Sequence, residues 1–400
     1  MNPAPTLNAV GGVATPMTAD TAETLSAAVL RDRLAAGDPV TLLDVRDRAE
    51  VERWRIETPS LTHVHVPYVK FVAAGVTGDV TDLLPADRRE PVVVVCARGA
   101  ASAEVAEELA AAGVDARNLA DGMAGWARLY DRTAVVEGAA TLHQYRRPAS
   151  GCLGYAVVAD GEMVVVDPLR AFVDRYRADA ADLGVDLTHA VDTHVHADHV
   201  SGVRALAAAT GATPVLPRNA VDRGVADADA FETIRDGDRL PIGEAELAAV
   251  GLPGHTTGMT GFAVGAAGDA DALLTGDSLF LDGVARPDLQ EAADPETQAR
   301  ELYATLTERL ARFPDAVLVA PGHTDAGVAS GPAVARLGDL RTRLDAFGTD
   351  ETGFVERTTQ GGAEPANAER IVGINRGTET VDDGTAFELE LGPNNCAAGG

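Results

Sequence analysis

Five histidines and two aspartates follow one another along the chain in a pattern that suits metal-ion chemistry. Thr193-His194-Val195-His196-Ala197-Asp198-His199 packs three imidazoles and a carboxylate into six positions. Pro253-Gly254-His255, Thr275-Gly276-Asp277 and Pro321-Gly322-His323 come downstream. Each follows an apolar run and a glycine, and glycine lets the backbone approach closely. Imidazole and carboxylate are the right ligands for zinc or iron. His63, His65, His143 and His189 have no such setting and read as ordinary surface or core residues.

A second centre is built around one thiol. Cys96-Ala97-Arg98-Gly99-Ala100-Ala101-Ser102 leaves an apolar strand and opens a helix. Backbone N–H groups at such an entry point inward, favour a thiolate and would stabilise a persulfide anion. The plain alternative is a buried, inert cysteine at a strand end.

The elements that must hold these groups alternate between strand and helix. Helical spacing covers 26–36 and 102–112, with buried strands at 40–45 and 91–96, and this block closes near Tyr130. Alternation of this kind argues for a parallel sheet with helices on both faces. Residues 131–150 read as a crossing segment. Strands follow at 153–158 and 163–167, with Asp160-Gly161 as a hairpin turn between them. A helix over 171–183 and a strand over 189–193 lead into the histidine-rich stretch, where loops at strand C-terminal ends can aim several ligands at one point. A helix over 301–313, a strand over 316–320 and helical spacing over 326–347 come next. The Gly-, Asn- and Pro-rich end carries strand-like pieces at 370–374 and 387–391, and residues 1–20, small and polar without a period, read as a flexible arm.

The His-X-His-X-Asp-His motif followed by His255, Asp277 and His323 resembles the metallo-β-lactamase superfamily over about residues 150–325. The resemblance implies an αββα sandwich with its metal at one edge of two facing sheets. Two metal arrangements then stay open. In a dinuclear hydrolase, His194, His196 and His255 hold one zinc, Asp198, His199 and His323 the other, and Asp277 bridges, so that hydroxide attacks a thioester. In a mononuclear enzyme, His194, His255 and Asp277 form a 2-His-1-carboxylate face around one Fe(II), leaving positions for dioxygen and a sulfur substrate. His196, Asp198, His199 and His323 would then orient ligands and fix tautomers.

Residues 278–290, Ser-Leu-Phe-Leu-Asp-Gly-Val-Ala-Arg-Pro-Asp-Leu-Gln, resemble the persulfide dioxygenase branch, although Ala285 stands where that branch has Gly before the arginine. The tail Gly392-Pro393-Asn394-Asn395-Cys396 is similar to the end of the same branch. What this implies is oxidation of a low-molecular-weight thiol persulfide, such as glutathione persulfide, by O2 to sulfite and thiol. Arg286 becomes a candidate carboxylate anchor, or else half of a structural ion pair with Asp288. The alternative remains a zinc thioester hydrolase of the glyoxalase II kind.

Leu42-Leu43-Asp44-Val45-Arg46, the Cys96 loop and Asp121-Gly122-Met123-Ala124-Gly125-Trp126 together resemble the rhodanese domain, in its order. This implies that Cys96 carries sulfane sulfur. Ala101 stands where active loops often have a cation, which puts thiosulfate use in doubt, and Arg98 is the candidate substitute. Cys152 reads as structural, and no role is given to Cys396.

The expected organisation is an arm (1–20), a rhodanese-like α/β domain (21–130), a metallo-β-lactamase-fold domain (131–345) and a C-terminal extension packed on it (346–400). Four hundred residues, 46% of them apolar, suffice for two cores. Asp plus Glu number 61 against 33 Lys plus Arg, a net charge of −28, and Lys70 is the only lysine. Such a surface repels phosphate backbones, which argues against nucleic acid as a partner. It also suits the cytosol of a salt-loving microbe. No apolar run approaches a membrane span. Three cysteines exclude a disulfide scaffold, and no basic residue precedes Arg31, so the expected location is cytoplasmic. A homo-oligomer is compatible with all of this.

Overall fold

The computed structural model describes residues 23–328, 331–361 and 365–392. The arm and Cys396 lie outside these.

The N-terminal block is a five-stranded sheet with every neighbouring pair parallel, its central strands being Val92–Val95 and Val40–Asp44. Its valine run is apolar on both faces because both faces are covered, as parallel sheets require. Val93 and Val95 meet Leu30, Leu34, Met123 and Trp126 on one side. Val92 and Val94 meet Phe71, Val105 and Leu109 on the other. Successive side chains point to opposite faces, so one tetravaline strand serves two cores.

The second block is a sandwich. A seven-stranded mixed sheet runs from Asp131–Glu137 at one edge to Glu232–Ile234 at the other. A six-stranded mixed sheet is built from Arg239–Ile242, Ala245–Gly251, Thr260–Ala266, Ala272–Gly276, Leu318–Pro321 and Ala335–Arg336. Leu153, Tyr155, Val157, Val164 and Val166 of the first sheet pack on Leu247, Phe262, Val264 and Leu274 of the second. Each outer face is closed by helices. Val165 and Ala190 meet Tyr176 and Leu206 on one side, and Leu273 and Val319 meet Leu302, Leu306 and Leu340 on the other. The result is the expected αββα order. Asp160 and Gly161 both take positive φ, at 47° and 85°, and join paired strands as a hairpin.

Several local expectations are corrected. Residues 131–150 hold the strands Asp131–Glu137 and Thr141–Arg146, an antiparallel hairpin on the sheet edge, rather than a crossing segment. The helical stretch expected over 326–347 begins only at Leu337. The C-terminal pieces expected as strands are the helices Ala368–Asn375 and Asp383–Leu389. Ile371 and Ile374 pack on Val200, next to the histidine motif, and Phe387 joins the N-terminal core. The extension therefore touches both blocks. Among the described residues no helix is long and apolar enough to cross a membrane.

Candidate functional site

The histidine motif leaves the strand Asp186–Val191 and is held from below by a residue that sequence reasoning did not single out. Asp167 ends the buried strand Glu162–Val166 at a φ of 51°. Its carboxylate accepts from Thr193 N at 2.7 Å, from Thr193 Oγ1 at 3.0 Å and from His196 Nε2 at 3.1 Å. The only signal for it was a carboxylate closing an otherwise apolar strand.

This contact fixes a tautomer. The Thr193 hydroxyl gives its proton to Asp167, so toward His194 Nδ1, 2.9 Å away, it can only accept. His194 therefore carries its proton on Nδ1 and keeps a lone pair on Nε2, which has no partner. The same logic applies to His255, whose Nδ1 donates to the Arg286 carbonyl at 2.9 Å and whose Nε2 lies 3.8 Å from Asp277 Oδ2. Asp277 Oδ2 is buried and unpartnered as well. One ligand atom from each of His194, His255 and Asp277 lies within 4.8 Å of the other two. Burial pushes both histidines down, and each is further disfavoured as a cation by Arg223. They are neutral imidazoles with lone pairs facing one point. Buried polar atoms without partners need an explanation, and a metal ion held by these three residues would supply one.

The glycines do what their positions require. A Cβ on Gly322 would stand 2.5 Å from Asp277 Oδ1, and a Cβ on Gly254, at a φ of 136°, would stand 2.4 Å from Leu302 Cβ.

The remaining motif residues form two further clusters. His196 groups with Asp167 and Asp192, and its pKa is pushed up to about 9, because these two carboxylates, Asp167 above all, outweigh burial and the neighbouring His199. Asp198, His199, His323 and Cys152 form the other. Asp198 Oδ2 accepts from His323 Nε2 at 2.9 Å, His199 Nδ1 at 3.1 Å and the Cys152 thiol at 3.2 Å. His323 Nδ1 donates to Asp277 Oδ1 at 2.6 Å. Both His323 nitrogens thus face carboxylates. Against burial, those two carboxylates hold it well above its ordinary range, as an imidazolium with no lone pair to offer. Asp277 is held low in return, its burial outweighed by His323. Cys152, read from sequence as structural, stands inside this cluster. Its signal was the Gly151-Cys152 strand start, which carries no chemistry by itself.

Arg286 is 4% exposed and its guanidinium grips Asp288 in two bonds, of 2.9 and 2.7 Å. The ion-pair alternative describes its side chain, while its carbonyl positions His255.

Around Cys96, Sγ accepts from Gly99 N at 3.1 Å, where Gly99 caps the helix Ala100–Ala111 at a φ of 89°. Ser102 Oγ lies 3.2 Å from Sγ and 2.7 Å from Asn118 Oδ1, so its single proton can serve only one of them. The helix Gly122–Ala127 grips the loop from above, Met123 N donating to the Cys96 carbonyl and Ala124 N to the Ala97 carbonyl. Arg98, the candidate substitute for the cation missing at position 101, pairs instead with Glu388 of the C-terminal helix at 2.5 Å.

A buried polar chain runs between the two centres. Arg147 Nε donates to the carbonyl of Ala127, at the end of the helix that grips the cysteine loop. Its Nη1 donates to Glu390 Oε2 at 2.6 Å, and Glu390 Oε1 accepts from Val200 N, next to His199, at 2.9 Å. Asn375 Nδ2 donates to the carbonyls of His196 and His199 at 2.9 and 2.8 Å. Apart from Arg147 with Ala127, the partners lie more than 170 residues apart, so no local pattern announces these contacts.

Comparison with known proteins places each block in a family. A metallo-beta-lactamase superfamily model matches residues 147–323 and a rhodanese-like domain model matches residues 26–129. The chain is 35% identical over 170 residues to a hydroxyacylglutathione hydrolase of Polaromonas, covering 41% of this chain and 57% of that one. It is 32% identical over 163 residues to the human mitochondrial persulfide dioxygenase ETHE1, covering 40% and 59%. The chain thus spans somewhat under two thirds of the length of these curated relatives. The crystal structure of ETHE1 from Myxococcus xanthus superposes with a TM-score of 0.51 at 30% identity, covering 59% of this chain and 98% of that one.

Proposed function

We propose that this chain, which belongs to the metallo-β-lactamase superfamily and carries a rhodanese-like domain ahead of the sandwich, oxidises a low-molecular-weight thiol persulfide with O2. The balanced reaction takes one persulfide, one O2 and one water to thiol, sulfite and two protons. His194, His255 and Asp277 would hold a single Fe(II). When bound, that ion supplies redox chemistry and open coordination positions at which a soft sulfur and dioxygen can meet.

The chain's own residues supply the rest. Thr193 and the Arg286 carbonyl keep the Nε2 lone pairs of His194 and His255 aimed inward. His323 holds one oxygen of Asp277 and leaves the other free to ligate. The observation that carries the one-ion reading is the occupation of His323 at both nitrogens. That residue would have to be a free ligand in a two-zinc centre.

Cys96, cradled by Gly99 N and flanked by Ser102, is the proposed carrier of sulfane sulfur in the rhodanese-like domain. Two sulfur sites on one chain raise the local concentration of any shared intermediate.

The test is anaerobic purification followed by metal analysis and oxygen uptake with glutathione persulfide. One iron per chain with stoichiometric sulfite supports the reading. The similarity to hydroxyacylglutathione hydrolases favours a second one, a two-zinc thioester hydrolase. Two zincs with hydrolysis of S-lactoylglutathione and no oxygen uptake would establish that instead.

A further inference from the structure

A cavity of about 1370 Å³ opens beside the metal-ligand loop, with Ala197 at one side. Its lining includes Asp288 and Glu291, Arg223, and Arg370 and Arg376 of the C-terminal extension. The volume exceeds the few hundred to about 1,000 Å³ of ordinary small-molecule sites, so a tripeptide-sized ligand fits.

The charges lining it are unequally satisfied. Asp288 is taken by Arg286 and Arg370 by Glu379, at 2.7 Å each. Arg376 has Glu291 only at 3.7 Å, and its buried Nε is without a partner. Arg223 makes no ion pair among the described residues, and its Nη1 is buried and unpartnered. Burial and the facing charge of Arg376 push Arg223 down to about 10, which still leaves it cationic at neutral pH. Two repelling guanidiniums with unused buried donors at the mouth of a reaction centre call for an anion between them. A carboxylate suits the planar fork, which it can engage with two parallel bonds.

We propose that Arg223, with Arg376 beside it, anchors a carboxylate of the thiol that carries the sulfane sulfur, so that the preferred substrates are acidic, peptide-like thiol persulfides. The proposal rests on the neighbouring triad being the reaction centre. A shared oxyanion chemistry leaves a second source, the sulfite product, and the experiment separates the two.

The iron-loaded full chain and its R223A and R223K variants are assayed with glutathione persulfide and with the persulfide of its diethyl ester, which lacks the carboxylates. In R223A the KM for the acid relative to that for the ester rises about ten-fold or more, the scale of a lost charge-assisted fork. R223K, which keeps the charge without the fork, gives an intermediate ratio. An unchanged ratio overturns the proposal, as does weakened sulfite inhibition in R223A with no change in the persulfide ratio. Calorimetric binding of reduced glutathione, which needs no turnover, is measured in parallel. Arg223-dependent binding in a protein that consumes no oxygen would sink the proposed reaction and keep the anchor. Oxygen uptake with an unchanged ratio would do the reverse.

Discussion

The metal cluster and the cysteine loop both handle sulfur in this reading, yet they are provisioned differently. The metal-suited cluster is assembled from loops spread between His194 and His323, and most of its groups are held by others: Thr193 by Asp167, Asp277 by His323, and His323 in turn by Asp198. The cysteine loop lies within seven consecutive residues and offers Sγ one backbone donor and one hydroxyl. Its one nearby cation, Arg98, is turned to Glu388. The difference is physical. A buried ion centre must satisfy each charge it encloses, whereas a thiol can stand neutral at a strand end and needs little support until it reacts.

The sharpest way to break the comparison is to remove one group from each. Asp277→Ala deletes a proposed ligand and also leaves the His323 cation facing one carboxylate fewer. We expect iron below one tenth of an equivalent and oxygen uptake down by about 10³-fold or more, the scale of losing a metal that forms the reaction centre. Cys96→Ser should abolish sulfur transfer while oxygen uptake stays within about two-fold, because no contact among the described residues joins Sγ to the triad. Metal analysis and the two assays on both variants decide it. Loss of oxygen uptake in Cys96→Ser would show that the two centres are one.

The next test addresses the chain of contacts between them. Arg147 and Glu390 each have side chains 1% exposed. Glu390→Ala leaves a buried guanidinium unpaired and releases Val200 N, so stability should fall by about 3–5 kcal/mol. Glu390→Gln keeps an acceptor for one of the two donors and should lose less. Denaturant unfolding gives the loss, and iron affinity in the folded variants shows whether the metal loop has loosened. Unchanged stability in Glu390→Ala would mean that the extension merely rests on the sandwich.

What could be read in the sequence follows the same division. Residues that ligate or hold sulfur are few in type and regularly placed, so the seven metal-suited residues and Cys96 stand out. The residues that position them do not. Asp167 is one carboxylate at a strand end, and Asn375 and Glu390 reach the motif from the far end of the chain. Arg223 and Arg376 acquire meaning only through the cavity they share. Architecture was legible where burial imposes a period, as in the tetravaline strand and the hairpin turn at Asp160-Gly161. It failed on the edge hairpin over 131–146, whose outward face is polar, and on Ala368–Asn375. There a short apolar run resembled a strand, while Ile371, Ile374 and Asn375 keep the helical spacing of three and four.

A smaller effect concerns the surface that both regions share. With a net charge of −28 the folded chain repels itself, and added salt screens exposed charges while leaving buried pairs nearly untouched. Raising KCl from 0.1 to about 2 M should therefore lift Tm by roughly 1–3 °C, on the scale of a kcal/mol or two for a chain of this size. The Arg147–Glu390 pair should contribute equally at both salt concentrations. A Tm that falls with salt would remove the argument for a salt-adapted protein.

The smallest expected change puts back what the cysteine loop lacks. Ala101 sits half-buried in the first turn of the helix Ala100–Ala111, one residue before Ser102, whose Oγ faces Sγ. A guanidinium there would stand near any anion approaching Cys96, and at an effective dielectric near 20 a pair of charges a few ångströms apart is worth up to about 4 kcal/mol. Exposure and side-chain entropy cut that to about 1 kcal/mol or less. Ala101→Arg should therefore raise thiosulfate sulfurtransferase activity about three- to ten-fold and leave oxygen uptake with the persulfide alone. Glu388→Gln, which frees Arg98, should give a smaller gain in the same direction. If neither variant gains, the loop's limit is its tight closure by Met123 and Ala124 rather than its charge, and the contrast between the two centres becomes one of access instead of electrostatics.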